Sequence, residues 1–250
     1  MAKLDSQCLW RTFLRSLCLQ GSWNPQRMQN LGLLVSLLPW LRQAGMSHAD
    51  GRRFCRRHYE YFNTNPYYAN LVVGGLLRLE EDNRRGDEDL LPMVHGFKDT
   101  LGRSLAALGD QFFWLGLQPA LLVLASLAAV WGVYAVSLGI IGAFAVFQFV
   151  ARLKALARGY ALGLDIADLL AAPGWHRAIL TAKRAGAFLT GVLAGSYAAR
   201  LDLVLREDGD RRLLLCAALA LGLSIAMRRR WSGEVKLLLL LPLAVLMTYL

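Results

Sequence analysis

Two short stretches of the chain gather the residue types that recognise a polyol. A sugar needs amide and carboxylate side chains to pair its hydroxyls and flat aromatic rings against its C–H faces, in a site that excludes water. Gln20, Trp23, Asn24, Gln29 and Asn30 form one such group, and Asn63, Asn65, Tyr67 and Tyr68 form a second. Taken singly, each of these residues is also accounted for by turn chemistry or by aromatic anchoring at a membrane surface. Asp110 stands apart from both groups. It follows Gly109 and opens Gln111-Phe112-Phe113-Trp114 at the head of the longest apolar run. An ionisable group there is costly unless it is paired or functional. Two roles fit it: a residue of a substrate pathway, or an N-cap that accepts hydrogen bonds from a first helical turn. Gln118, just before Pro119, is either a pathway amide or a residue at a helix kink.

Catalytic chemistry has no comparable footing. The chain holds no nucleophile elbow, no zinc-protease pair of histidines, no phosphate-binding loop and no glycine-rich dinucleotide turn. His48, His58, His95 and His176 are scattered, so spacing suggests neither a metal site nor a phosphohistidine, although a ligand contact stays open for His58 in its aromatic, amide-rich surroundings. Cys8, Cys18, Cys55 and Cys216 show no CxxC spacing and read as reduced packing residues. The expectation is a chain with no catalytic activity of its own, no metal and no cofactor.

The elements that carry these residues read as helices. Between Leu9 and Leu19 the residues Leu9, Trp10, Phe13, Leu14 and Leu17 recur at helical spacing, with Arg11 and Arg15 on another face. Such a helix lies in a membrane interface or packs on its own domain. A turn follows at Gly21 to Pro25, then a helix marked by Leu31, Val35, Leu38 and Leu41 and closed by Gly45. Residues 49–62 predict a basic, aromatic helix that ends at the breaker Asn63-Thr64-Asn65-Pro66. The run Glu80 to Asp89 is nearly all charged and predicts a solvated loop.

Beyond that loop the character changes. The 34 residues from Leu117 to Val150 carry no charge. At about 20 residues per straight crossing this is long for one helix and short for two, which predicts a tilted span or a re-entrant hairpin breaking near Ser137-Leu138-Gly139. Shorter apolar segments follow at 185–199, 213–227 and 235–250, expected to bundle with protein neighbours. The acidic 202–210 stretch and the triplet Arg228-Arg229-Arg230 place the triplet in the cytoplasm and the C-terminus outside.

Composition agrees with a membrane as solvent. The chain is 56% hydrophobic and 18% charged, with a mean hydropathy of +0.37. Its 28 basic against 18 acidic residues leave a net charge of +10. Clusters such as Arg152, Lys154 and Arg158 flank apolar runs, as cytoplasmic ends of membrane segments do, and no nucleic-acid-binding signature accompanies them. No signal-peptide pattern opens the chain, so insertion is expected to rely on internal segments. The expected fold is all-α: a polytopic helical membrane protein with amphipathic, cytoplasm-facing helices over 1–100, and re-entrant or short membrane helices over 101–250.

Three stretches resemble the IID component of the mannose/fructose/sorbose family of phosphotransferase system (PTS) permeases. The first is Arg15 to Asn24 followed by Gln26 to Gly32, similar to the family's opening motif. His58 to Tyr67 is similar to the family's EFFNTHPY, with Gly74 to Glu81 after it. Ala107-Leu108-Gly109-Asp110, with Phe113-Trp114 and Pro119, is similar to GIGDSLFW and its following RP. The chain departs from the pattern at Leu101 to Leu105, at Asn65 where the family has histidine, and at Gln118 where it has arginine.

The resemblance implies a non-catalytic subunit of the bacterial inner membrane, working beside a IIC subunit in hetero-oligomers of IIC/IID pairs. Soluble IIA and IIB proteins would bring the phosphate, a hexose-type sugar would be the substrate, and lipid the surrounding medium. Asp110, Asn24, Asn63, Asn65, Gln20, Trp23 and Gln118 are the residues expected to bind the substrate or line its pathway, with the subunit interface as the other place for Asn24, Asn63 and Asn65. The alternative is a non-transporting scaffold or sensor that signals sugar status through IIB.

Overall fold

The computed structural model describes residues 5–86, 91–171 and 174–208. The expected segments 213–227 and 235–250, Cys216 and the arginine triplet lie outside them, and with them the orientation argument. The chain divides into two compact units, Met1–Leu193 and Ala194–Leu250; of the second, the described part is the end of one long helix.

Among the described residues the fold is all-helical, with no strand. Helix α1 (Ser6–Ser16) starts where the Asp5 carboxylate accepts from the Cys8 amide at 3.3 Å. It buries Phe13 and leaves Trp10 and Leu14 exposed, so one apolar edge packs and the other is open. Helix α2 (Asn30–Gln43) packs on α1, and its Gly32 meets the turn that follows α1, where a Cβ would collide with the Leu19 backbone. Helix α3 (His48–His58) is capped by the Ser47 hydroxyl and carries Arg56, Arg57 and His58 in its last turn, where the helix dipole favours positive charge. It stops at His58, short of the expected residue 62. The following residues are drawn into extended pairing instead, with a bridge between Met28 and Phe62 and the Gln29 amide donating to Phe62 O at 2.8 Å.

Helix α4 (Ala69–Arg85) is the centre of the core, with Val72, Val73, Leu76 and Leu77 fully buried. Its last two turns correct the loop expected over Glu80 to Asp89 as far as Arg85, while residues 87–89 lie outside the described residues. Glu80 and Glu81 are buried inside the helix, and Gly86 at φ +78° supplies the left-handed stop. The charge density that reads as solvated loop is consumed by ion pairs, as described below.

Helix α5 (Leu91–Gly109), a π-helical segment (Asp110–Leu117) and α6 (Gln118–Val130) form one continuous run of 40 residues, Leu91–Val130. After a tight turn, α7 (Tyr134–Leu162), a 3₁₀ turn (Gly163–Asp165) and α8 (Ile166–Ala171) follow, then α9 (Gly174–Asp208). The uncharged stretch is therefore a helical hairpin, but its break is at Trp131-Gly132-Val133 and not near Ser137. Val133 N–H bonds Ala128 O and Gly132 N–H bonds Ala129 O, both at 2.9 Å, with Gly132 at φ +80°. This paired closure needs a left-handed residue, and Gly132 supplies it. The segment expected at 185–199 is the middle of α9, which also makes residues 202–208 helical.

Helices α4 and α7 cross through reciprocal glycines. A Cβ on Gly74 would strike the Leu156 carbonyl, and one on Gly159 would strike the Leu71 carbonyl. Small residues at a crossing let two backbones approach closely.

Candidate functional site

The Tyr67 ring is the hub of the site. Its backbone N–H donates to Asn65 Oδ1 at 3.0 Å, and its hydroxyl donates to Gln118 Oε1 at 3.4 Å. The ring lies 4.5 Å from that of Phe113 and 5.6 Å from that of Trp114, and the Arg152 guanidinium sits 4.7 Å from its centroid on α7. Asn65 is buried, and its remaining amide hydrogens reach Asp110 Oδ1 at 2.9 Å. The local sequence makes this geometry. Pro66 keeps Asn65 out of the α region, the Asx turn onto Tyr67 orients the amide, and Gly109 leaves the space that the Asn65 side chain occupies.

Asp110 is not an N-cap. Gly109 before it has helical dihedrals (φ −66°, ψ −41°), and the helix runs through it from α5. A cap requires non-helical backbone and a free first turn. What distinguishes the position is the π-helical segment it opens, a form that is rare and concentrated at functional sites. Gln118 closes the same segment beside Pro119, so it is both a junction residue and a partner of Tyr67.

The first polar group is placed differently. Asn24 bonds the Arg27 amide at 2.8 Å and Asn30 Oδ1 at 3.2 Å, and Asn30 bonds Tyr59 O at 2.9 Å. Gln29 clamps both backbone groups of Thr64, donating to its carbonyl at 2.9 Å and accepting from its amide at 3.1 Å. These amides fasten the 24–30 turn to the strand-like 59–64 segment and thereby hold Asn65 in place. Gln20 and Trp23 are exposed, and Asn63 is half-buried with its carbonyl near Gly102. The structure thus brings Asn65, Asp110, Gln118 and Tyr67 together, joins Asn24 to them indirectly, and leaves Gln20, Trp23 and Asn63 aside. Sequence reasoning missed Arg152 as a member. Its companion Gln148, one turn earlier on α7, is an amide in an otherwise apolar stretch, and that was the available signal.

A second polar cluster lies under α3. Glu80, 1% exposed, accepts from Arg57 through two bonds of 2.9 Å and from His58 Nε2 at 2.8 Å. Burial would raise the Glu80 carboxyl, but the bonds from His58 and Arg57 hold it below the usual carboxylate value. His58 is pushed below its ordinary value by burial, against the pull of Glu80, and is neutral. Its Nε2–H faces the carboxylate and Nδ1 has no partner among the described residues. Glu81 pairs with Arg84 and Arg85 and accepts from the Trp40 indole. Among the described residues no group of histidines, cysteines and carboxylates could hold a metal.

Two helices, Leu91–Val130 and Tyr134–Leu170, are long and apolar enough to cross a membrane, and the polar site sits at a π-helical break in one of them. Over residues 3–209 the chain matches the PTS system mannose/fructose/sorbose family IID component. It belongs to that family. It is 34% identical over 199 residues to the mannose-specific EIID component of Escherichia coli K12, covering 78% of this chain and 69% of the relative. It is 26% identical to the fructose permease IID component of Bacillus subtilis 168, covering 78% and 71%. A solved membrane protein matches at TM-score 0.70 and 31% identity, over 77% of this chain and 71% of that one. The structure of a complex of the mannose transporter ManYZ with a microcin matches at TM-score 0.62 and 32% identity, with the same coverage.

Proposed function

We propose that this chain is the IID subunit of a multi-pass inner-membrane permease that carries a hexose-type sugar beside a IIC subunit, while IIA and IIB proteins deliver the phosphate. The carrying observation is the Asn65–Asp110 pair, set on a π-helical break in an apolar helix and backed by the Tyr67 ring. An aspartate, an amide and an aromatic face are the groups a sugar ring requires. The relatives named for mannose and fructose support the substrate class. In this reading residues 1–100 face the cytoplasm and residues 101–250 form the membrane part.

Of the three departures from the family pattern, two, Asn65 and Gln118, bond to Tyr67. Two titratable or cationic partners are thus replaced by neutral amides at one place, which makes this cluster the seat of sugar preference. In vesicles holding the IIC partner and supplied with IIA, IIB and phosphoenolpyruvate, Asp110→Ala should lower sugar phosphorylation by about tenfold or more, the worth of a charge-assisted hydrogen bond. Full activity together with a lower melting temperature would reduce Asp110 to a structural group.

A further inference from the structure

The buried face of α7 carries two polar groups that the fold leaves unanswered. Along the helix the buried positions are Gln148, Leu156, Gly159 and Tyr160, with the half-buried Arg152 one turn after Gln148 on the same face. Gln148 is 8% exposed, and among the described residues neither Oε1 nor Nε2 has a partner. The Arg152 Nε is also buried and unpartnered, although its guanidinium lies over Tyr67 and its backbone carbonyl accepts from Asn70. An unmet buried amide is costly, and a cationic group facing the interior of a membrane segment is costlier. Leucine would pack better at residue 148.

We propose that Gln148 and Arg152 form a second hydroxyl-binding subsite, beside the Tyr67 ring that Arg152 covers, for adjacent hydroxyls of the transported polyol. The unmet groups decide the ligand chemistry. Gln148 offers one acceptor and one donor, and Arg152 Nε offers a donor. A carboxylate or phosphate only accepts, which would leave Gln148 Oε1 unmet. A pair of neighbouring hydroxyls both donates and accepts and satisfies all three atoms. Tyr67 joins the two halves, since the ring that Arg152 covers is the one whose backbone and hydroxyl bond Asn65 and Gln118. The atoms are sealed in the described conformation, so the sugar meets them in a state where α7 has moved off the Tyr67 side. This subsite rests on the permease reading given above.

The test is phosphoenolpyruvate-dependent uptake of the best-transported hexose and its monodeoxy analogues, in cells with the unaltered chain, with Gln148→Leu and with no chain. The subsite predicts a KM about tenfold higher for Gln148→Leu. It also predicts that discrimination against one monodeoxy analogue, present with the unaltered chain, disappears in the variant, and that the purified complex melts no lower. Gln148→Met, which keeps the length of the side chain and removes both polar atoms without adding a charge, should give the same loss of discrimination and guards against a folding failure of the leucine variant. Unchanged KM and unchanged discrimination in both variants would overturn the subsite, whether or not the melting temperature falls. Equal uptake with and without the unaltered chain would instead refute the permease reading, and the subsite with it.

Discussion

Replacing Glu80 with alanine should destabilise the protein more than any single surface change. Glu80 is 1% exposed and receives two bonds from Arg57 and one from His58, whose side chain is fully buried. Removing one member of a buried ion pair leaves its partners uncompensated, a loss of about 3–5 kcal/mol. Arg57 is 19% exposed and can turn toward water, which favours the lower end, about 3 kcal/mol. At roughly 2–4 °C per kcal/mol for a chain of this size, the melting temperature should fall by about 6–12 °C. Glu80→Gln keeps acceptor and shape and should lose less than half of that. The assay is thermal unfolding of the detergent-purified protein, read by tryptophan fluorescence, with Arg85→Ala as a control at the exposed end of α4. Arg85 is 45% exposed, and an ion pair at that exposure contributes only a few tenths of a kcal/mol. A shift for Glu80→Ala no larger than the control's would refute the claim that α4 is pinned to α3 by this network.

Three further outcomes follow from the same geometry. His58 is neutral in the fold with its pKa lowered from 6.5, so the unfolded chain binds its proton first as pH falls. Its share of stability is therefore present above about pH 6.5 and lost on acidification below it, and His58→Gln should flatten the fall in melting temperature between pH 7 and pH 5. Gly159→Leu drives a side chain into the Leu71 carbonyl and should prevent accumulation of the folded protein in membranes, measured by immunoblot, whereas Gly139→Leu, with open space around it, should be tolerated. Asn65→His combined with Gln118→Arg restores the residues usual in the family at both contacts of Tyr67. The pair should shift relative uptake among mannose, fructose and sorbose more than either change alone, since they share one partner.

Much of the architecture is readable from local pattern. The helix marked by Leu31 to Leu41, its stop at Gly45 and the uncharged run after Leu117 all follow from residue type and spacing. The hairpin turn was misplaced because Ser137-Leu138-Gly139 and Trp131-Gly132-Val133 both contain a glycine, and what separates them is the pair of closing bonds to Ala128 and Ala129. Glu80 and Glu81 read as loop because one-dimensional charge density is blind to partners on other helices: Arg57 and His58 come from α3 and the Trp40 indole from α2. The site was half legible. Asn65, Asp110 and Gln118 announce themselves by position, but that they meet at Tyr67 depends on α4, α5 and α7 being packed through glycines. Gln148 was the one legible clue left unused, since it and Gln118 are the two amides in the uncharged stretch.

The central claim, that this chain is a required subunit of a sugar permease, is tested most directly by phosphoenolpyruvate-dependent uptake of labelled mannose, fructose, sorbose and amino sugars. Cells carry the IIC, IIA and IIB partners with or without this chain. The account predicts that uptake of at least one sugar collapses when this chain alone is missing. Uptake of every sugar at the same rate in both strains would contradict it and favour a sensor that does not transport.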